Sequence, residues 1–192
     1  MKAKDKDMTE ILTILHEVAD FTHWKAAYDA DAVNRDSAGL TELMLVRQST
    51  NPRNVALVFA VSDHEKAKAM VQSPVLHAVM KKAGIVEAPD IHFRQGEFTR
   101  HDASRYLSLN CRIRDIATFR KGYAMDKAER EKAGLTDLAL LQNVDDDNDL
   151  LLVWAVEDVS RATAFIESPQ LAEHQVKNAG VVGPPQLRFW NK

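Results

Sequence analysis

The sequence is short of the residues that cross-link or anchor a small protein. Its single cysteine, Cys111, allows no internal disulfide, and a lone cysteine is typical of a reducing compartment. No apolar stretch is long enough to span a membrane, and the charged start, Met1 to Glu10, lacks the apolar segment of a signal peptide. We therefore expect a cytoplasmic protein that has no membrane partner.

An excess of charge of one sign is also missing. The 25 basic and 28 acidic residues give a formal net charge of -3, whereas a nucleic-acid-binding protein carries a basic excess on one face. There is no glycine-rich phosphate loop, no serine nucleophile elbow and no metal-ligand spacing among the seven histidines. The acidic run from Asp145 to Asp149 lacks the glycine and the terminal glutamate of a calcium loop, so it indicates a solvated turn. We expect neither a nucleic-acid partner nor a metal or a cofactor.

What the sequence does contain is an internal repeat. A shift of 95 residues overlays the chain on itself, and about twenty of the 57 positions from Asp20 to Leu76 are then identical without a gap. Chance does not sustain one register over such a length, so the sequence predicts a tandem duplication. The first repeat is placed at 1–95, a linker at 96–104 and the second repeat at 105–192.

Each repeat is predicted to have the order β-α-β-β-α-β. A β-rich run opens each one, at 11–18 and 106–113. An aspartate N-cap and an apolar stripe at helical spacing then predict a single first helix that ends at Gly39 or Gly134. A hairpin, a second helix interrupted at a Ser-Pro pair and a short last strand (after Pro185 in the second repeat) follow. This order is the ferredoxin-like split motif, whose helices cover one face of an antiparallel sheet.

The same features resemble the dimeric α/β-barrel superfamily. The pattern Asp-x-x-x-Trp-Lys-x-x-Tyr, Gly-Leu-Thr, a hairpin, Ser-Pro-x-Leu and Ala-Gly is similar to antibiotic-biosynthesis-monooxygenase-like and stress-responsive barrel proteins, over nearly all of both repeats. The resemblance implies an α+β fold of two tandem ferredoxin-like βαββαβ units that form an intramolecular dimeric-α/β-barrel arrangement, as a monomeric pseudo-dimer or a homodimer. It implies no single activity, since the superfamily hosts cofactor-free monooxygenases, isomerases, haem enzymes and proteins without known activity.

Strand alternation predicts which side chains would line the interior of such a barrel. An aromatic wall with a few polar groups is typical of small-molecule pockets. The alternative is that Glu17 and Arg112 are exposed or pair with each other. The candidate ligand-binding residues on this side are Tyr106, Asn110, Arg112, Trp154, Glu17 and Phe59.

Other polar residues are assigned to the helix-covered side or to helix packing. His16 stands where the second repeat has Cys111, and a hydrogen-bonded core histidine is favoured there over a ligand-binding one. Tyr28 and Arg35 recur in the second repeat, and their seven-residue spacing indicates packing plus an ion pair with Asp31.

Two functions remain open from the sequence. The first is a small-molecule-binding protein or cofactor-free enzyme, monooxygenase-like or isomerase-like, that acts on a small apolar or aromatic metabolite. In an enzyme, Arg112 would stabilise developing negative charge and Glu17 would move a proton. The alternative is a non-catalytic assembly or stress-response module with no ligand. Haem binding is a third hypothesis, which predicts a Soret band.

Overall fold

The computed structural model describes residues 9–192, which divide into two compact units between Gln95 and Gly96. Each unit has the predicted βαββαβ order, with both helical segments split in two, so the predicted α+β tandem ferredoxin-like fold is confirmed. In the first unit the elements are β1 (Thr9–Glu17), α1 (Phe21–Ala30), α2 (Ala32–Ser37), β2 (Leu40–Gln48), β3 (Asn54–Val61), α3 (His64–Val71), α4 (Pro74–Lys82) and β4 (Asp90–Phe98). In the second unit they are β5 (Arg105–Ile113), α5 (Ile116–Met125), α6 (Lys127–Lys132), β6 (Leu135–Asn143), β7 (Asp149–Val156), α7 (Val159–Ile166), α8 (Pro169–Lys177) and β8 (Val181–Asn191).

The strand pairing is antiparallel and follows the same plan in both units. In the first unit β3 pairs with β1 on one side and with β2 on the other. In the second unit β7 pairs with β5 and β6, and β5 also pairs with β8. The hairpins β2–β3 and β6–β7 confirm the predicted turns, and the acidic run Asp145–Asp149 connects the second pair.

The helices begin where the sequence predicts. Asp20 and Asp115 accept hydrogen bonds from backbone N–H groups of their own first turns, at 2.6 and 2.8 Å. Such caps satisfy donors that the helix itself leaves unpaired. Gly39 and Gly134 end the first helical segment with φ values of 74° and 73°, a conformation that a side chain disfavours.

Three details differ from the sequence-based expectation. The first helical segment is two helices, because the chain turns at Asp31 and Asp126 between α1 and α2 and between α5 and α6. The strand β8 begins at Val181, before Pro185, and is the longest strand rather than a short one. The strand β4 continues to Phe98, so the first three residues of the predicted linker belong to a strand.

The helices of each unit cover one face of its strands. On that face of the second unit Leu107, Leu109 and Cys111 join Phe119 and Trp154 in one buried apolar cluster, as predicted for the first three. Within residues 9–192 no helix is long and apolar enough to cross a membrane.

Candidate functional site

The first unit holds a cavity between the helix-covered face of its strands and the helices α1, α3 and α4. Its volume is about 70 Å³. Residues of β1 and β3 form its floor and residues of the helices form its walls. The side chains that define it are Ile14, His16, Trp24, Tyr28, Phe59 and Met80.

His16 is the one ionisable group on the floor of this cavity. It lies on β1 and is only 5% exposed, and its ring packs against Trp24 with 5.2 Å between the ring centroids. Neither ring nitrogen has a hydrogen-bond partner among residues 9–192. The predicted helix-facing position is thus confirmed, whereas the predicted hydrogen bond is wrong, because no described group lies within hydrogen-bond reach of either nitrogen.

Burial also fixes the protonation state of His16. The surrounding apolar groups lower the pKa of its imidazole from 6.5 to about 4, since burial penalises the charged form. At neutral pH the ring is therefore uncharged, with one nitrogen that donates and one that accepts. A buried polar group that lacks both bonds is costly, so its natural complement is a molecule that supplies them.

The Tyr28 and Arg35 side chains also line this cavity and pack against each other. The guanidinium of Arg35 lies 3.7 Å from the centre of the Tyr28 ring and donates from Nη1 to the Tyr28 carbonyl oxygen at 2.5 Å. The Tyr28 hydroxyl donates to Glu42. Burial and the bond to Glu42 raise the pKa of this hydroxyl, so it stays protonated. The predicted packing of Tyr28 with Arg35 is confirmed, and Asp31 approaches Arg35 Nη1 at 3.9 Å.

The second unit has a smaller cavity of about 40 Å³ at the corresponding place. The indole of Trp154 stands where the first unit has Phe59, and its Nε1 donates to the Tyr123 hydroxyl and to Asp137, both at 2.8 Å. Arg130 donates to the same aspartate from Nε and Nη2, at 3.1 and 3.0 Å. The side chains of Tyr123, Arg130 and Trp154 thus find their partners within the unit.

A single methyl group also distinguishes the two cavities. Gly122 on α5 corresponds to Ala27 on α1, which lines the larger cavity. A Cβ atom built on Gly122 would lie 2.6 Å from the Cα atom of Ala179, well inside van der Waals contact. The glycine lets α5 lie close to the backbone at Ala179, so the second cavity is narrower.

The remaining polar candidates from the sequence lie on the opposite face of the strands and have protein partners. The Tyr106 hydroxyl donates to the His101 carbonyl at 2.9 Å, and Asn110 donates to Asp149 at 2.8 Å. Arg112 forms an ion pair with Asp146 at 2.8 Å. Glu17 pairs with Arg53 and not with Arg112.

Phe59 and Trp154 were expected on that opposite face, and this orientation is wrong. Phe59 pairs directly with Leu12 across β1 and β3, and Trp154 pairs directly with Leu107 across β5 and β7. Directly opposed residues of an antiparallel pair project from the same face. Leu12 and Leu107 face the helices, so Phe59 and Trp154 face the helices as well.

The cavity of the first unit does not fit a haem. His16 is the histidine on its floor, but about 70 Å³ is less than half of the roughly 150 Å³ that suffices for benzene. A porphyrin is several times larger than benzene. Among residues 9–192 no three histidine, cysteine, aspartate or glutamate side chains are grouped so as to hold a metal ion.

Known structures share the fold of the whole chain. The structure of a provisionally assigned monooxygenase from Lactobacillus acidophilus NCFM superimposes with a TM-score of 0.59 at 12% identity, over 95% of this chain and 93% of that one. A ferredoxin-fold protein related to antibiotic biosynthesis monooxygenases from Listeria monocytogenes 4b F2365 gives a TM-score of 0.54 at 11% identity, over 96% and 94%. A mutant chlorite dismutase from Candidatus Nitrospira defluvii, in complex with cyanide, gives 0.57 at 8% identity, over 96% and 91%.

The chain has the tandem ferredoxin-like fold of these proteins. The resemblance found in the sequence to the antibiotic-biosynthesis-monooxygenase-like and dimeric α/β-barrel group is thereby confirmed at the level of fold. No protein-family profile matches the sequence, and no curated protein is similar to it. At 8–12% identity these structures establish the fold of the chain and leave its chemistry to its own residues.

Proposed function

We propose that the chain binds a small, uncharged, largely apolar molecule in the cavity of its first unit, with His16 as the hydrogen-bond partner. The observation that carries the proposal is the buried His16 ring, which has no partner at either nitrogen within residues 9–192. An apolar pocket with a few convergent polar groups is the usual form of a small-molecule site. Two of the structures that share the fold are named as a monooxygenase or as related to monooxygenases, which supports a small-molecule-binding role.

A ligand of about one ring requires the cavity to enlarge. The present volume of about 70 Å³ would have to grow toward the roughly 150 Å³ that holds benzene. Met70 and Met80 line the cavity, and unbranched methionine side chains change rotamer at little cost. Phe59 and Trp24 would then provide aromatic surfaces on which a ring could pack.

A catalytic version of the same proposal uses His16 as an uncharged hydrogen-bond partner that orients the substrate, because burial disfavours the imidazolium that proton uptake would create. Glu17 and Arg112, the residues assigned from sequence to proton transfer and charge stabilisation, are bound to Arg53 and Asp146 instead. We further propose that the chain acts in the cytoplasm as a monomeric pseudo-dimer, in keeping with its tandem duplication and its single cysteine.

Native mass spectrometry of the protein purified from cells tests this proposal. We expect an excess mass of a few hundred daltons or less on the wild-type chain, and its loss in the variant His16→Leu. The matched control is Tyr106→Phe, which removes one hydroxyl from the opposite face of the sheet and should retain the excess mass.

Other results would contradict the proposal in different ways. Loss of the ligand in Tyr106→Phe with retention in His16→Leu would move the site to the opposite face, where the sequence placed it. A bare chain mass for the wild type would favour the alternative of a non-catalytic assembly or stress-response module.

A further inference from the structure

The helix α4 forms part of the wall of the first-unit cavity, yet it packs weakly against the rest of its unit. Leu76, Val79 and Met80 of this helix line the cavity. Among residues 9–192, however, none of the nine α4 residues is buried, and Val79 is 38% exposed. The corresponding helix of the second unit, α8, buries Leu171 to 8% exposure. Because buried apolar contacts stabilise an element locally, α4 is the less firmly held of the two helices.

The two helices also differ in how they are fixed to the first helix of their units. In the second unit His174 of α8 donates from Nε2 to the carbonyl oxygen of Gly122 on α5 at 2.9 Å, and the backbone at Ala179 packs closely against the same glycine. The first unit has Val79 at the position of His174 and Ala27 at that of Gly122. A valine side chain has no donor, and the alanine methyl prevents an equally close approach. Neither tie of the second unit can therefore form in the first.

The side-chain bond that ties α4 to α1 lies at the surface. His23 Nε2 contacts the Lys82 carbonyl oxygen at 3.1 Å, and both groups are exposed. An imidazole N–H can donate to a carbonyl oxygen in the neutral and in the charged state, so protonation of His23 does not break this bond. Water competes for both partners at this position, so the bond opens at a small cost.

The joint between α3 and α4 permits α4 to move as one segment. The Ser73 side chain caps α4, and Pro74 at its first position has no backbone N–H. The hydrogen-bond ladder of α3 therefore does not continue through Pro74. Beyond the other end of α4, the Gly84 carbonyl oxygen accepts from the backbone N–H of Ala19 at 2.8 Å. A displacement of the segment between Ser73 and Gly84 leaves the strand pairing of the unit intact.

Enlargement of the cavity has to come from the wall that is least constrained. The floor belongs to β1 and β3, which pair over the eight β1 residues from Glu10 to Glu17, so the floor cannot spread without loss of main-chain hydrogen bonds. The present volume of about 70 Å³ is below the roughly 150 Å³ that holds benzene. An outward shift of α4 would add volume beside Met80 and would open the cavity to solvent at the same time.

We propose that α4 is the lid of the first-unit cavity: it moves outward about the Ser73–Pro74 joint to admit the ligand, and the bond between His23 and Lys82 holds it closed. This lid rests on the proposed function and supplies the entry route for its ligand. Because α8 is tied to α5 by His174 and by the close contact at Gly122, we expect no corresponding opening in the second unit.

Hydrogen–deuterium exchange of the full chain at pH 7.5 tests the lid, with α8 as the internal reference. We expect the protection factors of the α4 amides to be at least about tenfold lower than those of the α8 amides, because local opening exposes them to solvent. Saturating benzene, used as a one-ring probe, should raise the protection of α4 by about threefold or more, since a bound molecule stabilises the closed state. The protection of α8 should stay as it is.

The variant His23→Ala removes the bond that holds α4 closed. We expect it to lower the protection of the α4 amides by a further factor of about three, which corresponds to the loss of one exposed hydrogen bond. The matched control is His174→Ala, which removes the tie of the other unit and should lower the protection of α8 while α4 keeps its own value.

Equal protection of α4 and α8 in the wild type would overturn the lid. Benzene that protects α8, or that protects neither helix, would also contradict it, and unchanged protection of α4 in His23→Ala would show that this bond does not hold α4 closed. The exchange pattern of the two helices is measured independently of whether the purified protein loses its ligand in His16→Leu, so the lid and the proposed function fail separately.

Discussion

The buried His16 side chain contributes to the pH dependence of stability. Its pKa falls to about 4 in the folded chain because burial disfavours the imidazolium, while the unfolded chain keeps a value near 6.5. Between these two values the unfolded state binds more protons than the folded state. Stability is therefore fully present above pH 6.5 and is lost as the pH falls toward 4.

We expect the wild-type chain to lose about 2 kcal/mol of its free energy of unfolding between pH 7.5 and pH 5 through this one residue. The variant His16→Leu should lack that part of the pH dependence. Urea unfolding at the two pH values measures it, with His101→Gln, a change at an exposed histidine, as the control. An unchanged pH dependence in His16→Leu would mean that His16 can be protonated in the folded state.

Cys111 occupies the same strand position in the second unit with a different consequence. Burial, and to a lesser degree the charge of Asp149, raise the pKa of its thiol to about 12. A thiol behaves as a small apolar side chain and leaves no strong donor or acceptor unsatisfied. The unsatisfied polar residue thus belongs to one repeat only, although both repeats share their strand pattern.

At the scale of elements, the helix that follows each first strand decides how large its cavity is. The α1 helix carries Ala27 where α5 carries Gly122, and the glycine admits the backbone of Ala179 to within 2.6 Å of where a Cβ atom would lie. Helix propensity alone favours alanine over glycine by about 0.5–1 kcal/mol. Close packing of the helix against Ala179 opposes that preference.

We expect Gly122→Ala to lower the free energy of unfolding by about 1–3 kcal/mol, because the added methyl overlaps backbone atoms that cannot move aside as a flexible side chain would. Thermal or urea unfolding measures the change. The control is Ala124→Gly at an exposed position of the same helix, which should cost about 0.5–1 kcal/mol from propensity alone. A stabilised Gly122→Ala protein would show that α5 can shift without loss and that the glycine does not set the width of the cavity.

At the scale of the whole molecule, the duplication has produced two similar units with unequal interiors. The second unit fills its cavity with the indole of Trp154 and satisfies Arg130 with Asp137. The first unit keeps the larger of the two corresponding cavities and a His16 ring without a hydrogen-bond partner within residues 9–192. The asymmetry predicts one ligand for each chain rather than two.

We expect native mass spectrometry to give one ligand per wild-type chain and none in Phe59→Trp. That substitution installs the tryptophan of the second unit, which fills the cavity and offers a donor to the Tyr28 oxygen. The reverse change in the other unit, Trp154→Phe, should leave the first site occupied and serves as its control. Two ligands on the wild-type chain, or a ligand retained in Phe59→Trp, would contradict the assignment of a single site.

The sequence by itself determined the repeat, the order of elements and the helix caps. These features depend on local rules: an aspartate such as Asp20 accepts bonds from its own first turn, and Gly39 ends a helix because it tolerates positive φ. The sequence also placed His16 on the helix-covered face by simple alternation along one strand.

Only the tertiary structure decided where the site lies. The orientation of Phe59 and Trp154 follows from which residues face each other across two strands, and alternation along one strand does not report that pairing. Within residues 9–192, His16 lacks a hydrogen-bond partner and Arg130 has several. This difference depends on whether side chains that are distant in sequence meet in one cavity. Hydrogen-bond satisfaction is a property of packed neighbours rather than of spacing along the chain, so no sequence pattern reports it.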